Sequence, residues 1–485
     1  MNISIENILL IGSILLFISI LAGKTSYKFG VPTLLFFILV GMLAGAEGIG
    51  GIRFSDSRIT QFIGIVALNF ILFSGGLDTS WQSIKPVVGR GIVLSTVGVL
   101  ITSVSLGYFV HLITDFTLME GILLGSIVSS TDAAAVFSVL RGKSVGLKGH
   151  IRSTLELESG SNDPMAYFLT ITMTSIVAMS NTSIWNAIPL FFMQFAIGGA
   201  MGYFVSIGGR YVINRIKLDF EGLYPVLVLT IMLFTFSITD FLGGNGFLAV
   251  YICGVVLGNK QLIHKKSLIK FFDGIAWLMQ IVLFLTLGLL VNPSEIVPIV
   301  GIGIIISLFL IFLARPISVF ISLAFFKVTF RNKLFISWVG LKGAVPIVFA
   351  TYPMIAGVEK ANMIFNIVFF ITIISVLLQG TTLSWMAKIL HVAIPGGIKK
   401  RTPLDLELSE SVKSELTEIE ITEFSNVVSK RIVDLNFPKK AIIVMINRNG
   451  KYITPNGYTQ IEALDKLMVI AENERSLEEV YKILE

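Results

Sequence analysis

Six ionisable side chains lie inside stretches of this sequence that are otherwise almost wholly apolar: Asp132, Glu156, Glu158, Asp163, Arg315 and Lys342. Charged groups are costly wherever water is excluded, and inside a membrane they mark function by default. Five of the six fall in short polar segments: Ser129-Ser130-Thr131-Asp132, Glu156-Leu157-Glu158-Ser159-Gly160-Ser161-Asn162-Asp163-Pro164, and Gly340-Leu341-Lys342-Gly343-Ala344-Val345-Pro346. Arg315 stands alone.

Helix geometry sorts the middle segment. At about 100° per residue, Ser159 and Asp163 share a face, and Glu156 falls on it too; Glu158 and Asn162 point elsewhere. Pro164 removes a backbone donor and crowds the carbonyl of Gly160, which leaves that oxygen available as a ligand. If Ser129–Asp132 is unwound, it adds further carbonyls. Hydroxyls, amide oxygens, freed carbonyls and carboxylates make an oxygen-rich cradle of the kind a hard monovalent cation requires. Asp163 and Asp132 are the candidates for its centre. A carboxylate at that depth holds either a proton or a cation but not comfortably both, and such competition suffices for antiport. Lys342 needs a counter-ion, and Glu158, facing away from Asp163, is the expected one, in a structural pair joining two spans. Arg315 reads as a packing or snorkelling residue. Glu156 is either a second titrating group or a residue near the membrane surface.

The elements that must position these residues are membrane helices. The 485 residues are 54% hydrophobic and 14% charged, where soluble chains average roughly 25% charged. A bilayer core needs about 20 apolar residues in helical form. Thirteen such runs fit, near 7–23, 31–50, 59–77, 90–113, 118–141, 151–180, 184–208, 222–242, 244–258, 273–291, 295–326, 334–356 and 361–390. Loop charges test the count. Odd-numbered loops carry Lys and Arg (Lys24, Lys28; Lys85, Arg90; Arg141, Lys143; Arg210, Arg215; Lys260, Lys265; Lys327, Arg331), while the fourth, sixth, eighth and tenth carry none. Arg53, Arg58 and Lys360 alone break the alternation. The reading is a multi-pass inner (plasma) membrane protein with its N-terminus outside and its C-terminus cytoplasmic. The first run lacks a basic n-region and a small-residue cleavage site, so it reads as a retained span.

The domains expected are a transmembrane exchange domain over 1–395, a linker over 396–414 and a small cytoplasmic α/β domain over 415–485. The last carries β-rich runs at 441–446 and 466–471 and a closing amphipathic helix with Leu477, Val480, Tyr481 and Leu484 on one face. It has no G-x-G-x-x-G, so no Rossmann dinucleotide site is expected. The net charge of +6 sits in short loops, which argues against nucleic acid; one cysteine forms no internal disulfide, and four dispersed histidines suggest no haem or zinc. No cofactor and no enzymatic activity are expected.

Ser129–Phe137 (SSTDAAAVF), Glu156–Ala166 (ELESGSNDPMA), Gly340–Ala350 (GLKGAVPIVFA) and Gly243–Asn259 (GGNGFLAVYICGVVLGN) together resemble the cation:proton antiporters of the NhaP and sodium/proton exchanger type. The likeness is closest to the cell-volume-regulation potassium/proton branch. Residues 415–485 resemble the C-terminal half of RCK domains (TrkA-C). The resemblance implies inverted repeats with broken crossing helices, a homodimer, and exchange of K⁺ or Na⁺ for H⁺. It implies Asp163 as the main cation and proton carboxylate, Asn162 beside it, Thr131, Asp132 and Ser159 as accompanying ligands, and a Glu158–Lys342 pair. An Asn-Asp pair implies electroneutral exchange in cation, pH or volume homeostasis. A regulatory small ligand, such as a cyclic dinucleotide, is implied for the C-terminal domain. Two positions depart from the family: Lys342 stands where Arg is usual, losing the bidentate fork, and Ser74 where some relatives place Glu. A cation channel or uniporter is the alternative. It would lack proton coupling, and no repeated filter motif is present. An intramembrane aspartyl protease would need GxGD, which is absent.

Overall fold

In a computed structural model of the chain, the residues described are 5–29, 33–143, 145–179, 184–395, 415–421, 425–435, 437–438, 440–448, 451–471 and 474–484. The chain divides into two units, Met1–Gly396 and Gly397–Glu485. The expected linker over 396–414 lies outside the described residues.

All thirteen apolar runs are helical. In chain order they form α1 Ile5–Phe29, α2 Thr33–Ala44 and α3 Ser57–Asp78, then α4 Trp81–Ile113, α5 Leu118–Ile127 and α6 Ala133–Gly142. Next come α7 Ile151–Ala178, α8 Ile184–Arg215, α9 Leu223–Phe241, α10 Gly246–Gly258 and α11 Lys265–Leu290. The series ends with α12 Pro293–Ser322, α13 Phe330–Trp338, α14 Val345–Ile355 and α15 Ala361–Ile389. Seven of the helices are long and apolar enough to cross a membrane unaided. Two of the thirteen runs are broken in the middle, into α5 plus α6 and α13 plus α14. With no water in the hydrocarbon core, backbone groups must be satisfied internally, and the helix starts show how. The Asp56 side chain accepts from the Arg58 and Ile59 N–H groups, Thr117 and Glu120 form a capping box, and Thr329 caps α13.

Contacts between loops support the span count. Val145–Leu147 (β1) pairs antiparallel with Ala393–Pro395 (β2). Glu47 accepts from the Ser294 N–H at 2.8 Å, Asn259 accepts from the Trp81 N–H at 2.7 Å, and Lys360 donates to the Asp115 carbonyl at 2.5 Å. Each pair is separated by an even number of the thirteen runs, as residues on one membrane face must be.

The membrane unit is built twice. Both α4 and α12 open with one helical turn, pass through a 3₁₀ turn containing proline (Pro86, Pro298), and later widen into a π turn (Leu94–Gly98, Leu310–Ala314). The broken runs α5/α6 and α13/α14 follow them in turn. The equivalents stand seven places apart in the series of runs, an odd offset, so the copies are inverted. Packing repeats too. A Cβ on Gly76 of α3 would meet the Tyr251 carbonyl of α10 at 2.7 Å, and one on Gly254 of α10 the Phe73 carbonyl of α3 at 2.6 Å. Gly41 of α2 and Gly288 of α11 approach each other's backbones in the same way. Small residues let these helices touch backbone to backbone, which is how membrane helices gain van der Waals contact.

The second unit is a four-stranded antiparallel sheet in the order β3 (Glu415–Glu420), β6 (Lys466–Ala471), β4 (Ala441–Arg448), β5 (Lys451–Ile453), with helix α16 (Glu474–Leu484). Its core includes Ile446, Ile461, Leu467, Val469 and Val480. On α16, Val480 and Leu484 are buried, but Tyr481 is exposed, which corrects the single face expected for it.

Candidate functional site

The two broken runs cross at their breaks. The Asp132 N–H donates to the Leu341 carbonyl at 2.8 Å, joining the segment between α5 and α6 to the segment between α13 and α14. Unwound residues here carry backbone groups that the helices no longer satisfy. Side chains take them up. Asp132 caps α6 by accepting from the Ala135 N–H at 3.0 Å. Ser159 of α7 accepts from the Ala133 N–H at 3.0 Å and donates to the Thr131 carbonyl at 2.9 Å. Lys342 donates its ammonium to the carbonyls of Ser130 at 2.9 Å and Ser129 at 3.3 Å. A carboxyl group therefore stands at the positive end of α6 and an amine at the negative end of α5, the places that favour their charged forms.

Asn162 and Asp163 lie beside this crossing on α7, both buried. Asn162 donates to the Thr131 hydroxyl at 2.6 Å. Its own oxygen, Oδ1, has no hydrogen-bond partner among the described residues, and neither does Asp163 Oδ1. Asp163 is within electrostatic reach of Asp132 and Lys342. Thus Thr131, Asp132, Ser159, Asn162 and Asp163 converge at one place. Asp132 and Asp163 are not equivalent there: the first is engaged as a cap, while the second keeps a free oxygen.

The expected Glu158–Lys342 pair is not the contact the structure makes. Glu158 Oε1 lies 2.5 Å from Arg315 Nη2, with both side chains buried. Arg315 is therefore an ion-pair partner joining α7 to α12, and not a snorkelling residue. Lys342 reaches past Glu158 to the α5 carbonyls because an ammonium is a compact point donor, suited to two converging carbonyl oxygens. Glu156 pairs with Arg152 at 2.8 Å, one turn nearer the start of α7 and partly exposed. It joins the surface, not the crossing.

Sequence reasoning assigned no role to three supporting residues. Ser375 accepts from the Lys342 backbone N–H at 2.9 Å and donates to Gln379 Oε1 at 2.5 Å; Gln379 donates to the Trp338 carbonyl at 2.8 Å. Asn245 caps α10 and donates to the Pro164 carbonyl at 2.8 Å, anchoring the turn that follows Asp163. Its GGNG setting (243–246) was a visible signal. Gly343 matters for closeness: a Cβ there would meet the Asp132 carboxylate. Gly343→Ala is expected to displace that cap, worth about 1 kcal/mol, and to slow transport several-fold. A gradient-dissipation rate equal to wild type would show that the approach is not needed.

Residues 13–389 match the family described as sodium/hydrogen exchanger, transmembrane, and residues 416–485 match the TrkA-C domain. The chain is 37% identical over 467 residues to a protein of Alkalimonas amylolytica named K(+)/H(+) antiporter NhaP, covering 96% of this chain and 81% of that protein. It is 38% identical over 480 residues to K(+)/H(+) antiporter NhaP2 of Shewanella baltica, covering 98% and 82%. Among solved structures it resembles the sodium proton antiporter MjNhaP1 of Methanocaldococcus jannaschii, with a TM-score of 0.67, 25% identity, 78% of this chain and 100% of that one.

Proposed function

From the premise that the chain belongs to the sodium/hydrogen exchanger family and is a multi-pass cation/proton antiporter, we propose that it exchanges K⁺ for H⁺, one for one, at Asp163. The observation that carries this reading is the buried Asp163 carboxyl, which keeps an unpartnered oxygen, as does its neighbour in sequence, Asn162. Thr131, Ser159 and Asn162 supply oxygens around it, and Asp132 holds the half-helix that frames it. The charges support the stoichiometry. Three acids (Asp132, Glu158, Asp163) and two bases (Lys342, Arg315) gather at the crossing, giving a formal charge of −1. One proton or one monovalent cation neutralises it, and adding the second would leave an uncompensated charge where charge is expensive. Potassium is favoured by the two relatives that match nearly the whole chain, both named K(+)/H(+) antiporters.

The setting follows from the same reading. The protein lies in the plasma membrane as a homodimer, with its N-terminus outside and the Lys- and Arg-bearing loops in the cytoplasm. Residues 1–395 carry exchange, 396–414 link, and 415–485 form a regulatory domain that responds to a small ligand. Deleting 403–485 should change the pH profile of transport. An unchanged profile would remove the regulatory role.

The decisive experiment imposes a pH gradient across proteoliposomes and adds K⁺, Na⁺ or Li⁺. K⁺ is expected to dissipate the gradient, and Asp163→Asn to abolish the response. If Na⁺ acts and K⁺ does not, the cation is wrong. If cations cross without moving protons, the protein is a channel or uniporter and Asp163 is not a carrier.

A further inference from the structure

Asp163 belongs to a longer stripe. Tyr167, Thr170 and Thr174 follow it at four, seven and eleven residues along α7, so at about 100° per residue all four share one face. Thr174 lines a cavity of about 300 Å³ at the end of the bundle where α7 and α14 finish and α3 begins, together with Gln61, Ser175 and Tyr352. The hydroxyls of Thr170 and Thr174 are buried without a hydrogen-bond partner among the described residues. That is unusual, because a helical threonine ordinarily bonds the carbonyl four residues back, as Thr235, Thr239, Thr286 and Thr372 do. Two buried, unsatisfied oxygens thus belong to the face of α7 that runs from the cavity to Asp163; Thr172, off that face, has a third.

Between Thr170 and Asp163 the stripe is closed by rings. Tyr167 meets Tyr352 edge-on, with ring centroids 5.7 Å apart. It also meets Phe247 edge-on at 4.9 Å and Phe349 at 5.9 Å.

We propose that this face of α7 is a cation passage between the cavity and Asp163, lined by the Thr174 and Thr170 hydroxyls and closed here by the Tyr167–Tyr352 pair. It deepens the reading of Asp163 as the carrier. The cavity holds a partly hydrated cation, the two hydroxyls replace water ligands as it narrows, and the tyrosine rings block the last step. The ring bulk does the closing, since it fills the space between α7, α10 and α14.

Thiol labelling tests this in the full-length protein, with the buried Cys253 first replaced by Ala. Thr174→Cys and Thr170→Cys are treated with a membrane-impermeant methanethiosulfonate in right-side-out and inside-out vesicles. Thr174→Cys should react from one face only. Thr170→Cys should react at least about tenfold more slowly, equivalent to roughly 1.4 kcal/mol. Adding Tyr167→Ala should bring Thr170→Cys close to the Thr174→Cys rate, whereas Tyr167→Phe should leave it slow. Tyr352→Ala makes the same test from the other helix should Tyr167→Ala not insert. An unreactive Thr174→Cys, or a Thr170→Cys rate indifferent to Ala at both tyrosines, overturns the proposal. Labelling needs no transport, so a negative gradient assay at Asp163 and a negative labelling pattern are separate results.

Discussion

Glu158→Gln is expected to lower the stability of the folded protein by about 3–5 kcal/mol, the usual effect of leaving one member of a buried ion pair alone. Arg315 is the partner left behind: Nη2 lies 2.5 Å from Glu158 Oε1, and neither side chain has water to turn to. Arg315→Met should be comparably harmful, because it strands the carboxylate. Combining the two should recover most of the loss, since neither charge is then stranded, and a pair replaced by apolar groups is often neutral or better. Thermal melting of the detergent-solubilised protein measures each corner of the double-mutant cycle. The same cycle run between Glu158 and Lys342 should give the smaller coupling, because Lys342 retains the Ser129 and Ser130 carbonyls whatever stands at 158. A larger coupling with Lys342 would restore the pairing expected from the sequence.

That pairing shows where sequence reasoning stops. A helical wheel put Glu158 on a face of α7 apart from that of Asp163. It could not tell which neighbouring helix meets that face. Arg315 was especially hard to place, because it follows the π turn Leu310–Ala314 directly. A π turn inserts an extra residue and shifts the face of everything after it, and no residue pattern in LIFLA announces one. The inverted repeat was hidden for a related reason. Trp81–Gly98 and Pro293–Ala314 take the same succession of turns with almost no shared residues, because backbone shape and not side-chain identity is what repeats.

The spans themselves were legible. Apolar run length and the alternation of loop charges are direct consequences of the bilayer, and both survive without knowledge of any contact. The breaks at 128–132 and 339–344 were legible in part, as polar residues in the middle of apolar runs. Strand β3 was not. Its sequence, Glu-Leu-Thr-Glu-Ile-Glu, reads as a solvated acidic stretch until β6 is available to pair with it, Ile419 opposite Leu467.

Lys342→Gln is expected to uncouple the exchange, and the pH dependence of cation affinity is where that will appear. On the proposed reading the wild-type crossing has a formal charge of −1, so that proton and cation exclude one another. Where Asp163 is mostly protonated, each unit fall in pH should then raise the apparent KM for the cation about tenfold, by reciprocal linkage. Removing the Lys342 charge makes the site −2, and a proton on one carboxylate no longer forbids a cation on the other. The slope of log KM against pH should flatten, and proton movement per cation should fall below one. Some stability will be lost as well, about 1–3 kcal/mol, because the Ser129 and Ser130 carbonyls lose a buried donor. Lys342→Arg keeps the charge and so separates the two effects: it should preserve the slope even if its fork fits the carbonyls less well and transport slows. If Lys342→Gln instead keeps the wild-type slope while only its maximal rate falls, Lys342 is a tether for α5 and takes no part in setting the charge that couples the ions.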